Sequence, residues 1–113
     1  MQLEEKTYKA INDNADFLMS LPRRYGDESQ FSMAIEEMSE LIQALEKHRR
    51  YKYNSEKLDE VLDHVAEEIA DVHIMLAQLT YIFNNDEQVA SYVKKKLERQ
   101  RKRINNEENE KAG

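Results

Sequence analysis

At 113 residues, with two Gly, one Pro, no Cys and a 35% share of charged side chains, the chain has room for one hydrophobic core and no disulfide to staple it. The lack of cysteine also excludes thiolate metal sites, leaves oxygen or imidazole ligands, and fits a reducing compartment. A net charge of −6 argues against nucleic acid as the main partner, and no stretch approaches the roughly 20 apolar residues of a membrane span.

Helical periodicity with so little Gly and Pro predicts an all-α fold, arranged as a four-helix bundle in a single domain over residues 1–104. Glu4, Glu5, Lys6 and Lys9 stand where a signal peptide needs an apolar run, so a cytoplasmic protein is expected. The first helix is predicted over residues 3–20, with Leu21-Pro22 ending it because the residue before proline is pushed out of the α region. Arg23 to Gly26 is a connection, and Asp27 or Ser29 caps a second helix that runs to Arg50. The basic, tyrosine-rich segment from His48 to Ser55 connects to a third helix, capped by Asn54 or Ser55 and ending at Phe83. Asn84-Asn85-Asp86 is the clearest break, with Asp86 capping a fourth helix to Arg103 or Ile104. Residues 105–113 have no apolar side chain except Ala112 and are expected to fray.

The third helix carries a heptad seam of Leu58, Leu62, Val65, Ile69, Val72, Leu76, Leu79 and Phe83, which must face another helix. At about 100° per residue, Glu68 and Asp71 fall together on one flank of that seam, between Val61 and Met75. The second helix repeats the design: aligning Met38 with Ile69 places Glu37 on Glu68 and Glu40 on Asp71. If the two helices pack as neighbours, four carboxylates meet at one point. The same spacing in Glu56/Asp59 and Glu60/Asp63 has no apolar setting and reads as solvated surface. Two carboxylates about 5 Å apart at an effective dielectric near 20 repel by roughly 3 kcal/mol, so four require protons or a cation. An all-oxygen set suits Mg²⁺ or Mn²⁺, and Mg²⁺ is commonly shared with the phosphates of a small molecule.

Near 30 residues, the third helix is longer than a small domain is wide, so it either kinks or packs its excess length on a second subunit. With Ala66, Ala70 and Ala77 on its other flank, it points to a homodimer or tetramer. On the fourth helix Val89, Val93, Leu97 and Ile104 are expected to face inward. Lys96, Arg99 and Arg103 flank that stripe, placed for a triphosphate bridged to the metal. The alternatives for this basic run are a solvated face and, less favoured, a nucleic-acid contact. His64 lies one turn before Glu68 and can serve it from outside the ligand set. A di-iron site is excluded, because no histidine stands three residues after a glutamate.

Tyr25-Gly26, Gln30, Glu36-Glu37-Met38-Ser39-Glu40-Leu41 and Glu67-Glu68-Ile69-Ala70-Asp71-Val72, in that order, resemble the MazG-like group of all-α nucleoside triphosphate pyrophosphohydrolases. The family signature is Glu-Glu-x-x-Glu followed after a variable gap by Glu-x-x-Asp, and Lys96-Leu97-Glu98-Arg99 resembles the basic motif on its following helix. The resemblance covers roughly residues 24 to 103. It implies Mg²⁺-dependent hydrolysis of a nucleoside triphosphate to the monophosphate and pyrophosphate. It places Glu37, Glu40, Glu68 and Asp71 on the metal, Lys96 and Arg99 on phosphates, and Gln30 on the base or sugar. Glu36 matches the first glutamate of the motif and would orient a water or a second metal. A carboxylate not fully used by the metal, Glu36 or Glu40, is the expected general base. Two readings stand beside the enzyme: a module that binds nucleotide and metal without turnover, and a structural helical interaction protein.

Overall fold

The computed structural model describes residues 2–113. It comprises α1 (Glu5–Asp13), α2 (Ala15–Tyr25), α3 (Asp27–Tyr51), α4 (Leu58–Phe83) and α5 (Asp86–Ala112), with no strand among the described residues. The helices fall into two compact units, one ending at Phe83 and one from Asn84 to Gly113.

The first predicted helix is two helices. Asn14, at φ −111° and ψ 18°, separates them, and its side-chain amide donates to the Ala10 carbonyl at 2.8 Å. An asparagine that competes for backbone acceptors in this way favours a break over a continued helix. Pro22, expected as a terminator, lies buried inside α2, where it has no N–H to give the Leu18 carbonyl one turn back, yet the helix runs on to Tyr25. Gly26 is the actual stop. At φ 88° and ψ 151° it occupies a region open essentially to glycine alone. Its N–H donates to the Pro22 carbonyl at 2.8 Å and its carbonyl accepts from the Gln30 N–H at 3.2 Å. One residue thus closes α2 and opens α3, leaving Asp27 in the first turn of α3 rather than at its cap.

Asn54 caps as expected, its Oδ1 accepting from the N–H groups of Glu56 at 3.1 Å and Lys57 at 3.2 Å. Asn84, in the left-handed region at φ 49°, ends α4.

The central pair is α3 and α4, which run antiparallel: Gln30 meets Gln78 near one end, while Glu37 and Glu40 meet Asp71 and Glu68 further in. Ala34 and Ala44, both buried, let the two backbones approach closely. The buried side chains of α4 are Val61, Glu68, Met75 and Gln78. The heptad seam packs within the chain along one edge only: Leu58, Val65, Val72 and Leu79 are half-buried, whereas Leu62 (47%), Ile69 (42%), Leu76 (44%) and Phe83 (59%) remain exposed. The packed face is the acid-bearing flank, rotated from the seam by about 90°. Within the unit that ends at Phe83, α1, α2 and α3 leave part of the 26-residue α4 uncovered. Ile35 and Ile42 of α3 are likewise exposed, and Phe31 stacks on Phe83 with ring centroids 5.3 Å apart.

Two polar ties hold the shorter helices to α4. The Nε and Nη2 of Arg23 donate to the Tyr81 hydroxyl at 3.1 and 2.8 Å. His73 Nε2 lies 2.8 Å from the Glu4 carboxylate. Ala70 of the predicted dimer flank lines an apolar groove walled by α1 and α2 of the same chain.

The second unit is α5. It continues helical through residues 105–112, where fraying was expected; no Gly or Pro interrupts it before Gly113, and Glu107 and Lys111 have favourable i,i+4 spacing. Val89, Val93, Leu97 and Ile104, read as inward-facing, are 43–61% exposed.

Candidate metal centre between two helices

Glu37 and Glu40 stand one turn apart on α3, as do Glu68 and Asp71 on α4, so each pair projects from a single helix face. The antiparallel packing brings the pairs together. One carboxylate oxygen from each of Glu37, Glu40 and Glu68 lies within 4.8 Å of the other two, and Glu67, Glu68 and Asp71 form an overlapping set by the same measure. Glu68 is 5% exposed, while Glu37, Glu40 and Asp71 are half-buried. Three of the four expected ligands, Glu37, Glu40 and Glu68, thus come together, and Asp71 is linked to them through Glu68 in the second set. Glu36 is exposed and not among the converging carboxylates.

The cluster is electrostatically unsatisfied. Oε2 of Glu37 and Oε2 of Glu68 are buried with no hydrogen-bond partner, a condition that costs about 1–3 kcal/mol for each such group, and more where it is charged. His64 Nε2 lies 3.3 Å from Oε1 of Glu68, one turn along α4. Burial, followed by the charges of Asp71, Glu40 and Glu68, pushes the Glu37 carboxyl up to about 7. Hard carboxylate oxygens without donors to satisfy them fit a divalent cation of the Mg²⁺ or Mn²⁺ type.

The raised pKa has a signed consequence in metal-free protein. Folding favours the protonated form of Glu37, so the contribution is fully present below the ordinary carboxyl value of 4.5 and is lost as pH rises through about 7. Melts in a chelator should lose about 1–2 kcal/mol across that window, less than the full shift because the side chain is partly solvated. Glu37→Gln should flatten the slope.

Beside the acids lies a cleft of 470 Å³ with Glu37 and Asp71 on its wall, a size in the range of small-molecule sites. Leu21, Met33, Ile74 and Met75 make it apolar, Tyr25 and Ser29 stand at the α2–α3 joint, and Gln30 and Gln78 complete the lining. Gln30, selected from its phase with Glu37, thus sits where a ligand beside the acids would extend. Its Nε2 donates to Oε1 of Gln78 at 2.6 Å. Gln78 was missed by the sequence reading. Its signal is a lone amide in the run Met75-Leu76-Ala77-Gln78-Leu79, in phase with Glu68 and Asp71.

Lys96, Arg99 and Arg103 are exposed side chains of α5, in the second unit. No family model, no curated protein and no solved structure matches the chain.

Proposed function

We propose that the chain is a Mg²⁺-dependent nucleoside triphosphate pyrophosphohydrolase that converts a ribo- or deoxyribonucleoside triphosphate to the monophosphate and pyrophosphate, and that it works as a homodimer. The observation that carries this reading is the meeting of Glu37, Glu40, Glu68 and Asp71 with two buried, partnerless carboxylate oxygens among them, on the wall of a nucleoside-sized cleft. A purely structural helix pair gains nothing from burying such a set.

Glu37, Glu40, Glu68 and Asp71 would hold the cation. When bound, Mg²⁺ supplies polarisation of the phosphoryl oxygens and a more acidic water. Glu40, half-buried in the cluster, is better placed than the exposed Glu36 to accept the proton of an attacking water. The cleft beside Glu37 and Asp71 would take the nucleoside, with Leu21, Met33, Ile74 and Met75 excluding water from the base. Lys96, Arg99 and Arg103 are assigned to the phosphates by the resemblance, where cationic side chains neutralise the charge on departing pyrophosphate. Pyrophosphate release from a panel of ribo- and deoxyribonucleoside triphosphates, with Mg²⁺ and with a chelator, tests the reading. Tight binding without release would leave the non-catalytic module instead.

The homodimer rests on the apolar face left uncovered by α3 and α4. Ile35, Ile42, Leu45, Leu62, Ile69, Leu76 and Phe83 are 42–70% exposed, whereas the buried apolar side chains of the two helices are Ala34, Ala44, Val61 and Met75. From Leu62 to Phe83 this face runs about 30 Å, and two helix widths of about 10 Å each make it on the order of the 800 Å² that each partner of a stable interface contributes. Ile42→Lys with Leu76→Lys should convert the protein to a monomer in sedimentation experiments, with its helical signal retained. A wild-type chain that sediments as a monomer at micromolar concentration would remove the dimer from the proposal.

A further inference from the structure

Gln30 and Gln78 are 6% and 2% exposed, and Gln78 is the largest side chain that the fold buries completely. Taking two primary amides out of water is costly unless their hydrogen bonds are replaced. Here the replacement is partial. One N–H of Gln30 goes to Oε1 of Gln78 at 2.6 Å, and Nε2 of Gln78 finds only the thioether of Met75 at 3.6 Å, a weak acceptor. Two aliphatic side chains would fill the same space without that cost. What the amides add is neutral polarity on the wall of a cleft otherwise lined by apolar Leu21, Met33, Ile74 and Met75, by Tyr25 and Ser29, and by the acids Glu37 and Asp71.

We infer that Gln30 and Gln78 act as a unit that recognises the base of the nucleotide, reading an exocyclic amino or keto group together with the neighbouring ring nitrogen. The hydrogen bond between the amides fixes how the remaining groups are used. Oε1 of Gln78 is occupied by Gln30, so Gln78 has an N–H to give, while the carbonyl of Gln30 is free to accept. An acceptor beside a donor matches the edge of a six-membered nitrogen heterocycle, where an exocyclic group adjoins a ring nitrogen of opposite hydrogen-bonding sense. The apolar walls suit the faces of such a ring, and Glu37 and Asp71 place the acid cluster on the same cleft. Gln30 is thereby held in position by Gln78, and Gln78 becomes a specificity residue in its own right.

This inference rests on the proposed function, and the test separates the two. Calorimetric titration of the full chain with Mg²⁺ and α,β-methylene triphosphates of uridine, cytidine, adenosine and guanosine identifies the base bound best. The same measurement then uses that base without its exocyclic group, 2-pyrimidinone for a pyrimidine or unsubstituted purine for a purine. Wild type should lose roughly tenfold or more in affinity, because a buried polar group is left unpaired. Gln78→Met, which keeps the volume, should bind the parent base at least about tenfold more weakly and lose less than about threefold on removal of the exocyclic group. If Gln78→Met fails to keep its helical signal, Gln30→Met provides the same cycle. A purely structural amide pair would weaken the fold without any coupling to the ligand's exocyclic group. Equal losses in wild type and variant, or a wild type indifferent to the exocyclic group, would overturn the inference and leave the hydrolase reading intact. No binding of any nucleotide by wild type would end both.

Discussion

Glu40→Gln and Asp71→Asn are each expected to lower kcat/KM for triphosphate hydrolysis by about 10³-fold or more, with the circular dichroism spectrum of the wild type retained. Each change removes a negative charge from a cluster held together by two facing helices and leaves the side-chain shape almost unaltered. Loss of one oxygen donor weakens cation binding, and it also removes the arrangement that keeps a water acidic and oriented. For Glu40 the loss includes the proposed proton acceptor. Pyrophosphate release at saturating Mg²⁺ and at a raised Mg²⁺ concentration separates the two contributions. Asp71→Asn should recover part of its activity as Mg²⁺ rises, whereas Glu40→Gln should recover little. Hydrolysis surviving at near wild-type rates in both variants would sink the assignment of this cluster as the active centre. Glu36→Gln offers an internal contrast, since its carboxylate is exposed and outside the cluster.

Mg²⁺ alone, without nucleotide, should raise the melting temperature by about 10 °C or more when present at about 100 times its dissociation constant. Binding to the native state contributes about 2.7 kcal/mol at that ratio, and each kcal/mol shifts a domain of this size by about 4–8 °C. The shift should grow from pH 6 to pH 8, because the proton on Glu37 competes with the cation below about 7. Glu68→Gln makes the argument sharper. Removing the charge of a side chain that is 5% exposed and has a partnerless oxygen should stabilise the metal-free protein while cancelling most of the Mg²⁺ response. A structural role for the acids predicts the reverse pattern: no Mg²⁺ shift in wild type and no gain from the substitution.

The acid cluster was legible in the sequence because it is written twice. Glu37 and Glu40 repeat the phase of Glu68 and Asp71 against their seams, and two copies of one flank meet once the helices lie antiparallel. Asn54 announced α4, and the breaks before α3 and α5 were visible, but the caps expected there, Asp27 or Ser29 and Asp86, lie inside helices whose N-caps are Gly26 and Asn85. Other features were hidden for physical reasons. A heptad seam states that Leu62, Ile69 and Leu76 want an apolar neighbour, but it does not say that the neighbour belongs to the same chain. The face buried within the chain is the acid-bearing flank, where alanines on α3 permit the close approach. Pro22 looked like a stop because proline gives up one helix hydrogen bond and disfavours the α region in the residue before it, but α2 runs through it to Tyr25 with Pro22 buried. Gln78 carried little signal, since one amide in an apolar run becomes meaningful only when Gln30 is found opposite it.

The single-residue joint at Gly26 has an implication for how this chain tolerates change. A Cβ there would meet nothing within 4 Å, so the barrier to substitution is conformational alone. Because that joint has no slack, inserting one amino acid would turn α3 by about 100° against α2 and carry Gln30 away from Leu21 and Tyr25. Lengthening is therefore confined to elsewhere, such as the turn between Tyr51 and Leu58, where extra residues leave the phase of both helices untouched. Related chains that differ in size should accumulate their indels in that turn and keep the spacing from Tyr25 to Glu40 constant.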